Sequence, residues 1–239
     1  MRMKCRPHTF MQAFTLIEAL IVVMSVVLLV ALLLPAFARA KARSSRINCE
    51  NNLKQIGIAF RTWALDNGEN YPMAVRMTNG GTMELVDSGV VYAHFRVMSN
   101  ELSTPKILVC PTDAARQSSI ASTFASTVLT TSANVMPFTG DANVSYFVGV
   151  DASASFPSML LTGDSNIGPK GMVPRSGLQS FSSNSDLSWY RPQHDRRRKG
   201  NIGLADGSVQ QVDTPGLRKL LRETRYETNR LAIPASASP

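Results

Sequence analysis

Glu18 is the residue whose position asks for chemistry. It opens a stretch, residues 19–38, in which twenty residues carry no charge. A carboxylate at the mouth of such a run is costly in lipid unless a cation meets it. An ion pair with a neighbouring amine is one reading; an acid at headgroup level of a plain anchor is the other. Cys49 and Cys110 lie beyond the run and could form a disulfide or remain separate thiols, while Cys5 precedes it. Asp206-Gly207, between two strand-like runs, reads as a turn former ahead of a metal ligand. Asp113, Asp141, Asp151 and Asp164 could join a loop calcium site, but their spacing demands none, and no other cofactor is expected. The densest charge is the RRRK run at 196–199, which could grip nucleic-acid phosphates. Only Trp189 and Tyr190 offer nearby stacking, so a solvated loop is the expectation and nucleic acid is not an expected partner. His8, His94 and His194 are too scattered for zinc, and no G-x-S-x-G, H-E-x-x-H or P-loop occurs. The chain is therefore read as not an enzyme.

The elements that must position these residues follow from the pattern. The 239 residues suffice for one membrane segment and one modest domain. At about 1.5 Å per residue the uncharged run spans about 30 Å, the thickness of a bilayer's hydrocarbon core. Of the net charge of +8, Arg2, Lys4 and Arg6 precede the run with no acid among them. Arg39, Lys41, Arg43 and Arg46 follow it, so charge alone leaves topology open. The small residue Ala13 comes before the apolar region, the reverse of a secretory signal.

Leu53, Ile56, Phe60 and Trp63/Ala64 recur at helical spacing, and Asn67-Gly68 is a stop signal. One helix from Phe14 to about Asp66 is predicted, kinked at Pro35 and weakened at Gly57. Short strands are predicted over 83–86, 90–97, 106–110, 144–150 and 159–162, with loops over 116–135 and 174–188. Residues 201–212 read as a hairpin with a two-residue loop setting Leu204 opposite Val209. Thr214 reads as the cap of a basic amphipathic helix carrying Leu217, Leu220 and Leu221, packed on its own domain, with a disordered end over 232–239. The fold class is α+β: a long N-terminal helix packed on a C-terminal antiparallel sheet. The segments are 1–13, 14–38, 39–66, a β-rich domain at 67–213, and a basic helix and tail at 214–239.

Phe14-Thr15-Leu16-Ile17-Glu18, after a short basic leader, resembles the prepilin processing motif of type IV pilins and type II secretion pseudopilins. The resemblance implies a pilin-like fold and cleavage between Ala13 and Phe14 by a prepilin peptidase, with methylation of the new Phe14 amine. It implies that Glu18 serves assembly, meeting that amine on a neighbouring pilin-like subunit, and that Pro35 loosens the helix. The family usually has glycine before the cut, where this chain has Ala13. Some pilin-like proteins carry a C-terminal H-x9-DG signature, and the region ending at Asp206-Gly207 is similar, with eleven residues between His194 and Asp206. The implied role is a structural subunit of a secretion or pilus-like filament. It would sit in the bacterial inner membrane as a single-pass protein, its C-terminal domain on the periplasmic or extracellular side. The alternatives are a DNA-binding minor pilin and a signal-anchored periplasmic enzyme.

Overall fold

In the computed structural model the uncharged run forms the first part of one helix, α1, Leu16–Asp66. The structure describes residues 15–125, 135–190, 199–224 and 226–235, so Ala13, Phe14, His194 and the arginines at 196–198 lie outside the described residues. Two compact units are resolved, Met1–Arg43 and Ser44–Pro239. The described part of the first is almost wholly helix, because leucine, alanine and methionine are strong helix formers and few of its residues favour a turn. Pro35 sits inside α1 without ending it; the ring removes a single backbone donor and the flanking turns keep the rest. The helix stops where Gly68 takes the left-handed region at φ +63° and the Asn67 side chain donates to the Trp63 carbonyl at 2.8 Å.

In the second unit the segment after α1 is helical where strands were predicted. It contains 3-10 turns at Pro72–Ala74, Met77–Asn79 and Met83–Ser88, then α2 (Tyr92–Arg96) and α3 (Ser99–Leu102). Further 3-10 turns follow at Pro105–Leu108, Ala114–Ser119 and Asp141–Asn143. The strands expected over 83–86, 90–97 and 106–110 are thus corrected. The reason lies in spacing: Val91, Phe95, Met98 and Leu102 are buried at three- and four-residue steps, a helical stripe. Asp141 also accepts the Val91 and Tyr92 N–H groups at 3.0 and 2.8 Å, supplying the first turn of α2 with acceptors from far along the chain.

The strands are β1 (Tyr146–Gly149), β2 (Leu160–Asp164), β3 (Ile167–Pro169), β4 (Gly177–Ser182), β5 (Leu187–Trp189), β6 (Lys199–Leu204), β7 (Val209–Asp213) and β8 (Thr228–Ile233). Six of them form an antiparallel sheet in the order β4-β8-β1-β2-β6-β7, and β3 pairs with β5 in a separate ribbon. Two corrections follow. Residues 174–188 are not all loop, and Ala232 and Ile233 belong to an inner strand rather than to a disordered end. β8 is inserted between β1 and β4, with Gly177↔Ile233 through Ser182↔Thr228 in continuous register. Non-local pairing of this kind gives a polar segment such as GLQSFS its strand conformation.

The sheet buries both faces. Tyr146, Val148, Leu161 and Ala232 pack with Cys49, Leu53, Ile56 and Phe60 of α1. Phe147, Leu160, Leu231 and Ile233 point the other way, into a core shared with Leu187, Trp189 and the leucines of α4 (Thr214–Glu223). The cap of α4 is Asp213, whose carboxylate accepts the Gly216 N–H at 2.9 Å; Thr214 is already inside the first turn. Aspartate and threonine are both good caps, and the end of β7 puts Asp213 at the position that decides it.

Candidate functional site: the ends of the long helix and the turn that holds it

At the start of α1, Thr15 closes the first turn: its carbonyl accepts from the Glu18 and Ala19 N–H groups at 3.1 Å each, and its hydroxyl lies 3.4 Å from the Glu18 nitrogen. Glu18 is exposed in the first turn, where the helix dipole favours a negative charge. The large hydrophobic residues from Leu16 to Phe37 are all at least 47% exposed. An apolar surface that continuous requires a medium or a partner of like polarity. By length and composition this part of α1 can cross a membrane, and among the described residues no other helix can.

In the second unit Cys49 and Cys110 are joined in a disulfide, with 5.1 Å between their α-carbons and a sequence separation of 61. Both are fully buried. The Thr112 hydroxyl lies 3.0 Å from the Cys110 sulfur, and the Asn52 amide donates to the Val109 carbonyl at 3.4 Å. The bridge fastens the helix to the segment that leads into the sheet.

A second fastening is the turn at Asp206-Gly207. The Gly207 N–H donates to the Leu204 carbonyl and the Leu204 N–H to the Ser208 carbonyl, both at 2.9 Å, and the last ladder pair is Gly203↔Val209. This is a three-residue loop with a glycine bulge, Gly207 standing at φ +85°, rather than a two-residue turn with Leu204 facing Val209. The extra residue frees the turn's carbonyls to face α1. The Asp206 carbonyl accepts from Arg61 at 2.5 Å, and the Ala205 carbonyl accepts the buried Tyr71 hydroxyl at 2.6 Å. Gly57 faces this turn: a β-carbon there would stand 3.4 Å from the Gly207 α-carbon, in ordinary van der Waals contact. The Asp206 carboxylate is spent on the Ser208 N–H at 2.8 Å. The Tyr71 phenol is pushed up chiefly by burial, with the Arg61 charge opposing and Asp206 adding.

The other candidate acids do not converge. Asp113 pairs with Arg116 at 2.9 Å and accepts from Ser145 at 2.8 Å. Asp141 caps α2, Asp151 holds Arg230, and Asp164 accepts from the Asn201 backbone at 2.7 Å. Among the described residues no three His, Cys, Asp or Glu side chains gather as a metal site. His94 lies on α2 and is fully buried, its Nδ1 2.7 Å from the Thr82 hydroxyl; burial lowers its pKa to about 4. Comparison with protein-family profiles, curated proteins and solved structures returns no match. Arg61, Tyr71 and the His94–Thr82 pair were not foreseen from sequence. The one available signal was Gly57, a glycine beside the buried stripe of a helix, which marks a close backbone approach.

Proposed function

We propose that the chain is a structural subunit of a pilin-like filament, of the type IV pilus or type II secretion kind, whose work is assembly rather than turnover. The observation that carries this reading is the division of α1. Its first part presents apolar side chains on every side with Glu18 at its mouth, while its second part is built into the sheet domain. In this reading the uncharged span of α1 holds the preprotein in the bacterial inner membrane and a prepilin peptidase cuts between Ala13 and Phe14. Glu18 then meets the freed Phe14 amine of a neighbouring subunit. That pair sets the axial register, and apolar helix surfaces supply the association energy. The sheet domain, with its disulfide suited to an oxidising compartment, stands outside the membrane.

The test has two parts. Mass spectrometry of the protein from native membranes is expected to show a chain beginning at methylated Phe14; an intact Met1 or a start beyond residue 38 overturns the reading. Glu18→Gln is expected to abolish subunit-to-subunit crosslinks while leaving the protein in the membrane. Unchanged crosslinking leaves only a tethered domain.

A further inference from the structure

We infer that Arg39, Lys41 and Arg43 form a binding band for anionic phospholipid headgroups; this rests on the membrane reading of α1 given above. The three residues follow directly on the twenty uncharged ones, within two helical turns, so a span that fills the hydrocarbon core delivers them to the level of the lipid phosphates. All three are exposed. Among the described residues none has a carboxylate partner: Glu18 is 21 residues before Arg39 in sequence, and the next acid after the band, Glu50, is taken by Lys54 at 2.7 Å. Arg116, Arg218 and Arg230 of the second unit are by contrast paired, with Asp113, Asp186 and Asp151.

The geometry of Arg39 sharpens the assignment. Its Nε donates to the Pro35 carbonyl at 3.2 Å, which lays the side chain back along the helix towards the apolar run. Its terminal nitrogens are thereby offered at the end of that run, where a phosphate diester of a lipid lies and where a soluble partner would have to compete with the bilayer surface. Lys41 projects from the opposite side of the helix, so the band can engage headgroups around the rod rather than one docked protein. Phosphate is the group that guanidinium and ammonium ions bind through charge-assisted hydrogen bonds. A subunit leaving the bilayer would have to break these contacts, so anionic lipid would act as a retaining force on the membrane pool.

The experiment uses the full chain in mixed micelles of equimolar phosphatidylglycerol and phosphatidylcholine, with native mass spectrometry reading the lipid retained. The expected preference for phosphatidylglycerol is roughly 100-fold, with each of Arg39→Gln, Lys41→Gln and Arg43→Gln removing about fivefold. The triple variant should lose most of it, whereas Arg39→Lys with Arg43→Lys should keep most of it. Arg175→Gln, an exposed cation of the second unit, should leave it unchanged, and inorganic phosphate should lower it no more than sodium chloride of equal ionic strength does. Equal retention of the two lipids by the unaltered chain, or an undiminished preference in the triple variant, overturns the inference. If alkaline extraction strips the full chain from native membranes, the membrane reading and the headgroup band fall together. If the chain stays embedded but shows no lipid preference, only the band falls.

Discussion

Residues 16–43 and 44–66 belong to one helix but owe their conformation to different things. In the first stretch strong helix formers and backbone hydrogen bonds are sufficient, and the apolar side chains are left exposed. In the second, one face is buried against the sheet, a disulfide pins it, and a turn grips it through main-chain carbonyls. The difference teaches how one element can serve two solvents. The first stretch keeps its adhesive surface for something beyond the chain; the second has spent its own on the domain.

That contrast can be broken most directly in the core. Phe60 is fully buried and meets Tyr71 and Phe95 edge-on, with ring centroids 5.6 and 5.9 Å away. Phe60→Ala is expected to lower the stability of the second unit by about 3–5 kcal/mol in a denaturant titration of the full chain in micelles. Leu29→Ala, at a site 58% exposed, should leave that transition in place. Equal shifts from both would end the distinction between the two stretches.

Removing the bridge comes next. The double change Cys49→Ser and Cys110→Ser should cost about 2–5 kcal/mol, since the bond closes a long loop. Hydrogen exchange should then rise in α1 from residue 49 to residue 66 and stay unchanged in residues 19–38. A bridge-free protein of undiminished stability would mean that packing alone holds the second stretch.

Acid should act on the second unit through His94. Its imidazole is kept neutral in the fold, with a pKa near 4 against an ordinary 6.5. Between those values the unfolded chain binds a proton that the folded chain refuses, so stability falls as pH drops from 6.5 to 4 and is constant on this account above 6.5. The full loss is about 3 kcal/mol, read as a falling unfolding midpoint. His94→Gln should flatten that part of the profile, and a slope that persists would assign it to other groups.

The smallest effect is expected at Gly57. A β-carbon there has van der Waals room at 3.4 Å from Gly207, so Gly57→Ala should be neutral or raise stability by up to about 1 kcal/mol through helix propensity. A loss of several kcal/mol would show that the helix and the turn are closer in solution than this contact implies.

Much of the fold was legible where the signal was local. The extent of α1, its stop at Asn67-Gly68, the strands β1 and β2 and the hairpin of β6 and β7 follow from runs of apolar residues and turn chemistry. What misled was reading a short apolar run by itself: residues 90–97 read as a strand and fold as α2 because Asp141 caps it and a helical stripe, visible only when Met98 and Leu102 are counted with Val91 and Phe95, faces the core. β4 and β5 were hidden in a polar stretch, and β8 in an apparent tail, because only pairing across the sheet makes them strands. At the candidate site the residue types were visible but their partners were not. Asp206-Gly207 announced a turn, and nothing local said that its carbonyls would reach Arg61 and Tyr71.

By itself the sequence determined the long helix, the uncharged span with a single acid at its mouth, the basic cluster that follows it, and the α+β character of the remainder. These depend on composition and spacing along the chain, where neighbouring residues suffice. The tertiary structure decided that β8 would enter the sheet beside β1, that Cys49 would meet Cys110, and that Gly57 would sit against Gly207. Each of these joins residues far apart in the chain, and their meeting depends on how the whole second unit buries its two cores, which no local pattern encodes.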